Sequence, residues 1–286
     1  MTDATGGRFD RPILIVSSPR SGSTMLFESL ARAPGLFTTG DESHRLIESI
    51  PPLIPAFRGW DSNRLTADDA TAEVAEHLTK GFYERLRDRD GQRPDGPVRM
   101  LEKTPKNALR VPFFDALWPD ARFVYLYRDP RQTLASMMRA WQSGRFRTYP
   151  RLPGWFGLPW SLLLVPGWRK LNGKPLPEIC ARQWTITTTI LLDDLERLPR
   201  QRVAVVDYDA FLAQPQEQSE RLAARLELDW DVTLPATLPR SRMTLTPPDR
   251  AKWRELEHDI ERFWPIVAEA DRRARLFAGV EATTSA

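Results

Sequence analysis

The sequence predicts an α/β fold: one domain in which a parallel β-sheet is flanked by helices on both faces. Short apolar runs, such as residues 12–17 and 122–127, alternate with longer segments of helical periodicity. Strands that alternate with helices indicate βαβ units, which build a buried parallel sheet. The length of 286 residues, of which 41% are hydrophobic and 28% charged, suits one folded domain with a sizeable core.

The individual elements follow from periodicity and from helix start and stop signals. Strands are predicted at residues 12–17, 97–101, 122–127 and 202–206, with a strand-like stretch at 36–38. Helices are predicted at residues 24–33, 67–90, 106–118, 177–198, 214–226 and 251–277. Another helix opens at Asp129 and Pro130, with Asp as N-cap and Pro at the first position. We expect one domain over residues 1–286, with its core at about residues 12–278.

The composition argues against several classes of protein. The net charge of +3 is spread along the chain and is too small to indicate nucleic-acid binding by itself. The single cysteine, Cys180, cannot form an intrachain disulfide, and residues 1–12 contain no apolar stretch of the kind that a secretory signal needs. We therefore expect a cytoplasmic protein. The three histidines are far apart in the sequence, so no metal site is predicted.

The first strand leads into a segment typical of anion binding, Ser18-Pro19-Arg20-Ser21-Gly22-Ser23-Thr24. The N-terminus of the helix that follows offers unpaired N–H groups and a partial positive charge. Gly22 lets the backbone approach an oxyanion closely, and Arg20 and the hydroxyl groups add donors. A well-capped Ser/Gly turn without a ligand would have the same sequence. The segment is not a Walker loop, because no Lys follows Gly22.

A second motif follows the strand at 122–127. Arg128 leaves the carboxyl end of that strand, and Ser136 lies eight residues later in the next helix. These two motifs, in this order, resemble the two donor-binding motifs of the PAPS-dependent sulfotransferases. Those enzymes transfer a sulfuryl group from 3′-phosphoadenosine-5′-phosphosulfate (PAPS). In that family the first motif binds the 5′-phosphosulfate, and the Arg and Ser of the second bind the 3′-phosphate. The resemblance covers about residues 12–270 and implies a P-loop-like parallel sheet with the donor at its carboxyl edge.

Further segments carry the same resemblance. Residues 102–107 (EKTPKN) are similar to a segment of the bacterial and tyrosylprotein-sulfotransferase-like branch, and residues 206–212 are similar to the family's late strand and turn. Residues 246–253 resemble a C-terminal loop that closes over the nucleotide, which implies Lys252 as a ligand. The implied donor-binding set is Pro19, Arg20, Ser21, Gly22, Ser23, Thr24, Arg128, Ser136 and Lys252, with no metal.

The resemblance also implies a set of catalytic residues. No His lies near Lys103, unlike in the cytosolic branch, and Glu42 stands where the other branch has a Glu base. Glu42 is therefore implied as the general base, with Asp41 as the alternative, and Lys103 and Arg20 as stabilisers of developing charge. The competing interpretations are an exposed loop carboxylate or helix cap for Glu42 and an ordinary surface lysine for Lys103.

The motifs do not specify the acceptor. Residues 152–168 carry no charge, contain three tryptophans, and are shorter and richer in Pro than the ~20 apolar residues of a membrane-spanning helix. They could be a loop packed on the core, a wall of an apolar acceptor pocket, or a membrane-surface contact. We expect a small-molecule or lipid-like hydroxyl acceptor, with residues 143–176 as an acceptor-side lid. Membrane contact is not predicted, and apolar loops of this kind also form homodimers.

Two other functions stay open on the sequence alone. A nucleotide phosphotransferase would need a Mg²⁺-binding set that we cannot place. A non-catalytic nucleotide-binding protein would keep the sheet without transferring a sulfuryl group.

Overall fold

A parallel sheet lies at the centre of the computed structural model, which describes residues 8–245 and 251–280. Its five strands lie in the order β2 (Leu36–Phe37), β3 (Arg99–Lys103), β1 (Ile13–Val16), β4 (Arg122–Tyr127) and β7 (Val203–Asp207). All neighbouring pairs are parallel. The prediction of an α/β fold with one parallel sheet is confirmed.

Helices cover both faces of the sheet, so its strands are buried on both sides. Ile13 and Ile15 of β1 point into one apolar cluster, whereas Leu14 and Val16 point into another. The helices on the first face are α1 (Ser23–Leu30), α7 (Tyr208–Ala213) and α8 (Pro215–Leu226). Those on the second face are α2 (His44–Ile47), α3 (Ala72–Arg85), α4 (Val111–Leu117), α6 (Leu176–Leu195) and α9 (Glu257–Ala278).

A third apolar cluster packs beside the sheet, around α5 (Pro130–Ser143). It includes the antiparallel pair β5 (Arg147–Tyr149) and β6 (Trp160–Ser161), together with side chains of α6 and α9. Asp129 caps α5 by accepting hydrogen bonds from the backbone N–H groups of Arg131 and Gln132, as the sequence predicts. No helix in the described residues is both long enough and apolar enough to cross a membrane.

Three predicted helices differ most from the structure, which shortens or interrupts them. The helix predicted at 67–90 runs only from Ala72 to Arg85, because Arg87 leaves it to form an antiparallel bridge with Thr38. The helix predicted at 106–118 is a 3₁₀ segment, Pro105–Leu109, followed by α4, since Pro112 lacks the N–H that a continuous helix requires. The helix predicted at 251–277 likewise begins with a 3₁₀ segment, Lys252–Leu256.

Candidate active site

A cavity of about 420 Å³ opens at the carboxyl edge of the sheet. Its walls come from the residues that follow the strands, from α5, from residues 145–148 and from residues 241–245. Among the lining residues in the described parts of the chain, seven are Lys or Arg and only two are Glu. Such an excess of cations around a concave site attracts an anionic ligand. The same described ranges contain no group of three or more His, Cys, Asp or Glu side chains that could hold a metal ion.

The loop between β1 and α1 forms one end of the cavity and brings Pro19, Arg20, Gly22, Ser23 and Thr24 to its surface. Ser21 lies behind it, and its hydroxyl is 2.8 Å from that of Ser18. Gly22 caps α1 in the left-handed region, with φ of +95°. The ring of Tyr208 packs directly against it: a Cβ atom at Gly22 would lie 2.1 Å from Cε2 of that ring. Both the backbone angle and the close approach require glycine.

Replacing Gly22 with Ala should therefore destabilise the protein more than replacing Gly35, which also has positive φ but has no atom within 4 Å of its added Cβ. A non-glycine residue in the left-handed region costs about 1–2 kcal/mol, and a forced contact adds about 1–3 kcal/mol. Chemical denaturation of Gly22→Ala and Gly35→Ala measures both effects. Equal losses would mean that Tyr208 moves aside freely and that its packing does not fix this loop.

Arg20 and Arg128 lie next to each other in a corner of the cavity that Ser136 also lines. The Arg20 side chain turns away from its own loop and donates from Nε to Oγ of Ser136, at 3.3 Å, and from Nη2 to the carbonyl of Met243, at 3.1 Å. Its guanidinium carbon lies 4.4 Å from the ring centre of Phe146. Burial and the nearby Arg128 lower the pKa of Arg20 to about 10. Neither guanidinium forms an ion pair with a carboxylate of the described residues.

Arg128 is held in place by three neighbours. It donates to the carbonyl oxygen of Arg20 at 3.1 Å and to Oε1 of Gln132 at 3.1 and 3.3 Å. Its guanidinium carbon lies 4.5 Å from the ring centre of Tyr208, which is a cation–π distance. Burial lowers its pKa. The corner thus contains two fixed cations and a hydroxyl group, an arrangement suited to a doubly charged oxyanion.

Glu42 also lines the cavity and forms an ion pair with Lys103. Glu42 follows β2, Lys103 ends β3, and Nζ lies 2.7 Å from Oε1. Lys103 is only 3% exposed, so it is not the ordinary surface lysine of the competing interpretation. It does not line the cavity itself but contacts Glu42, which does. Asp41 points away, with 84% of its side chain exposed. The nearest nitrogen of His44 lies 3.8 Å from Oε2 of Glu42.

Part of the cavity wall is apolar. Phe146, Leu162 and Leu163 line it, together with a second ion pair between Glu48 and Lys106, at 2.6 Å. Arg110 also donates to Glu48, at 3.0 Å. Burial lowers the pKa of Lys106 to about 8, although Glu48 opposes this shift.

The tryptophans of residues 152–168 do not line the cavity. Trp160 and Trp168 are fully buried and pack edge to face, with ring centres 5.7 Å apart, and Trp155 contacts both. The segment meets the cavity through Leu162 and Leu163 instead. Of the three interpretations of this segment, packing on the core describes its tryptophans, which belong to the third apolar cluster.

A C-terminal segment crosses the mouth of the cavity. Ser241, Met243, Thr244 and Leu245 line it, as do Lys252 and Trp253. Arg242 anchors this segment to the carbonyl of Gly40 at 2.9 Å. Part of the loop expected to close over a nucleotide, residues 246–250, lies outside the described residues.

Sequence reasoning missed several lining side chains. Gln132 sits inside the second motif and Tyr208 follows β7 at the carboxyl edge, so both positions were accessible to inference from strand ends. Glu48 and Phe146 lie in irregular segments, and only the folded chain shows that they reach the cavity.

Known proteins are similar to this chain in sequence. The chain is 23% identical over 225 residues to protein-tyrosine sulfotransferase A of Caenorhabditis elegans, an alignment that covers 77% of this chain and 50% of the relative. It is 25% identical over 134 residues to a Caenorhabditis briggsae protein named "Putative protein-tyrosine sulfotransferase", covering 46% of this chain and 44% of the relative. The chain thus spans half or less of the length of these curated relatives.

The fold also matches a solved structure. The crystal structure of a sulfotransferase from Alicyclobacillus acidocaldarius superimposes with a TM-score of 0.51 at 16% identity, covering 96% of this chain and 98% of that one. This likeness shows the fold. The family model described as "Sulfotransferase family" matches residues 12–157, slightly more than half of the 286 residues. The chain belongs to the sulfotransferase family.

Proposed function

We propose that the protein transfers the sulfuryl group of PAPS to a hydroxyl group of a small, partly apolar acceptor. The observation that carries this proposal is that Arg20 and Arg128 lie side by side without an ion-paired carboxylate in the described residues: Arg20 donates to Ser136, and Arg128 donates to the carbonyl of Arg20. Like charges held together in a partly buried corner are unfavourable unless an anion lies between them. A phosphate attached to the 3′-position of a nucleotide is such an anion.

The donor would span the cavity from this corner to the β1–α1 loop. Arg128 and Ser136 are assigned to the 3′-phosphate, and Lys252 to the nucleotide from the C-terminal side. The backbone N–H groups at the start of α1 and the hydroxyl groups of Ser23 and Thr24 are assigned to the 5′-phosphosulfate. Ser21 would support the loop through Ser18. Arg20, which reaches Ser136, is placed between the two anionic groups and neutralises both.

In the proposed reaction, the acceptor oxygen attacks sulfur in line with the bond to the 5′-phosphate oxygen. Glu42 takes the hydroxyl proton, the new O–S bond forms, and the S–O bond to the phosphate breaks. The electron pair of that bond leaves with 3′,5′-adenosine bisphosphate, and the acceptor becomes a sulfate ester. Positioning and charge stabilisation supply most of the acceleration of such transfers.

The ion pair gives Lys103 a role that changes during the reaction. Before transfer its charge is neutralised by Glu42, at 2.7 Å. Once Glu42 has accepted the proton, the ammonium group loses its counter-ion just as negative charge develops on the bridging oxygen. Lys103 would then stabilise that oxygen, so one proton transfer both activates the acceptor and frees a cation.

The acceptor would lie within reach of Glu42 and against the apolar surface of Phe146, Leu162 and Leu163, which line the same cavity. We assign residues 143–176 to the acceptor side on this ground. Incubation of the protein with PAPS and a mixed library of phenols and alcohols tests the proposal by mass spectrometry: products heavier by one sulfonate support it. Mg²⁺-dependent turnover of ATP, or binding of 3′,5′-adenosine bisphosphate without transfer to any acceptor, would overturn it.

A further inference from the structure

Glu102 is a buried carboxylate to which neither the motifs nor the proposed reaction assigns a role. It lies in β3 directly before Lys103, is only 2% exposed, and does not line the cavity. Burial raises its pKa, since removing a charge from water is costly, while hydrogen bonds from Ser43, Thr104 and Asn107 oppose that shift.

The partners of Glu102 come from two different segments. Its Oε1 accepts from the hydroxyl of Ser43 at 2.5 Å and from that of Thr104 at 2.6 Å, and its Oε2 accepts from Nδ2 of Asn107 at 2.6 Å. The hydroxyl of Thr104 in turn accepts from the backbone N–H of Ser43 at 2.8 Å. Ser43 directly follows Glu42, and Thr104 directly follows Lys103.

Glu102 thus connects the loop after β2 to the end of β3 by hydrogen bonds. Its partners Ser43 and Thr104 directly follow the two members of the Glu42–Lys103 ion pair. A side chain that only filled space here would not need a charge, because an apolar residue avoids the cost of burial. Three donors that converge on one carboxylate instead fix the relative position of the two segments.

We propose that Glu102 is a positioning residue: it acts through Ser43 and Thr104 to hold Glu42 against Lys103 and toward the acceptor, a role that rests on the proposed function of Glu42. A shift of about 1 Å at a reacting group costs about 10²-fold in rate. Glu102→Ala should therefore lower kcat by about that factor, with the Kd of 3′,5′-adenosine bisphosphate unchanged.

The conservative variant Glu102→Gln should restore most of the lost kcat. Its amide oxygen still accepts from Ser43 and Thr104, and its NH₂ group can donate to Oδ1 of Asn107, a buried atom without a partner, once that amide rotates. Asp194→Ala is the matched control: Asp194 is also buried, forms an ion pair with Arg64 and does not line the cavity. It should lower the melting temperature and leave kcat unchanged.

Non-additivity separates positioning from a general loss of structure. When Glu42 is already replaced by Gln, adding Glu102→Ala should lower kcat by less than about threefold more. The reason is that the carboxylate of Glu42, through which Glu102 acts, is already absent. If Glu102→Ala does not fold, Ser43→Ala removes one of the same hydrogen bonds and should show the same pattern with a smaller loss.

Wild-type kcat in folded Glu102→Ala, or in Ser43→Ala where Glu102→Ala does not fold, would overturn the proposal, as would full additivity with Glu42→Gln. Failure of the proposed function has a different signature: no sulfuryl transfer by the wild-type protein, or a Glu42→Gln variant that turns over normally.

Discussion

Glu42→Gln is expected to lower kcat by about 10²- to 10⁴-fold, the usual contribution of a positioned general base. The glutamine keeps the shape of the side chain and its oxygen can still accept from Lys103, which lies 2.7 Å from the carboxylate. Only the ability to take a proton is lost. Single-turnover kinetics with saturating PAPS measure the chemical step directly, and the affinity for 3′,5′-adenosine bisphosphate should not change.

Asp41→Asn is the matched control, since Asp41 is the adjacent carboxylate and is turned to solvent, with 84% of its side chain exposed. It should cost far less in kcat. Near wild-type turnover in Glu42→Gln would eliminate Glu42 as the base. The search would then move to Asp41 or to His44, whose nitrogen lies 3.8 Å from Glu42.

Arg128→Ala should weaken the binding of 3′,5′-adenosine bisphosphate by about 10- to 150-fold, while the affinity for 5′-AMP changes much less. A hydrogen bond to a charged group contributes about 1.5–3 kcal/mol, and each 1.4 kcal/mol corresponds to about tenfold. The variant also removes the donor to the carbonyl of Arg20, so a small loss for both nucleotides is expected from the loosened loop. Isothermal titration calorimetry with both nucleotides measures the difference.

Arg131→Ala provides the matched control for this experiment. Arg131 lies three residues after Arg128, in the first turn of α5, but it forms an ion pair with Glu261 at 2.8 Å, stacks on Trp264 at 3.8 Å and does not line the cavity. The preference for the bisphosphate should survive this substitution. An Arg128→Ala variant that loses equal affinity for both nucleotides would show that Arg128 supports the loop without contacting a 3′-phosphate.

The sheet was largely predictable because its signals are local. The strand at 122–127 has the predicted bounds, since the apolar residues 123–127, bounded by Arg122 and Arg128, suit a strand buried on both faces. Asp129 and Pro130 mark the start of α5 by the chemistry of the cap itself. Helix ends were less predictable: α3 stops at Arg85 because of a bridge to Thr38, which is distant in the sequence.

Some residues of the candidate site were likewise predictable from local sequence signals, whereas others depend on contacts between distant segments. Gly22, Arg128 and Ser136 could be identified because each belongs to a strand–turn–helix motif, and the fold brings all three to one cavity. The pairing of Lys103 with Glu42, and the Glu102 network behind it, depend on β2 lying beside β3, so the sequence pattern could not reveal them. The sequence could not decide whether the tryptophans of residues 152–168 line a pocket or pack in the core, because both locations favour uncharged residues. The structure shows that Trp160 and Trp168 are buried.

The central claim is that the Arg20–Arg128–Ser136 corner binds a 3′-phosphate. Titration of the wild-type protein with 3′,5′-adenosine bisphosphate and with 5′-AMP, under the same buffer and salt, tests it most directly, because the two ligands differ only in that phosphate. We predict that the bisphosphate binds at least about tenfold more tightly, as one charge-assisted hydrogen bond alone would give, and raises the melting temperature more. Equal affinities and equal shifts in melting temperature would contradict the assignment of the corner and, with it, of PAPS as the donor.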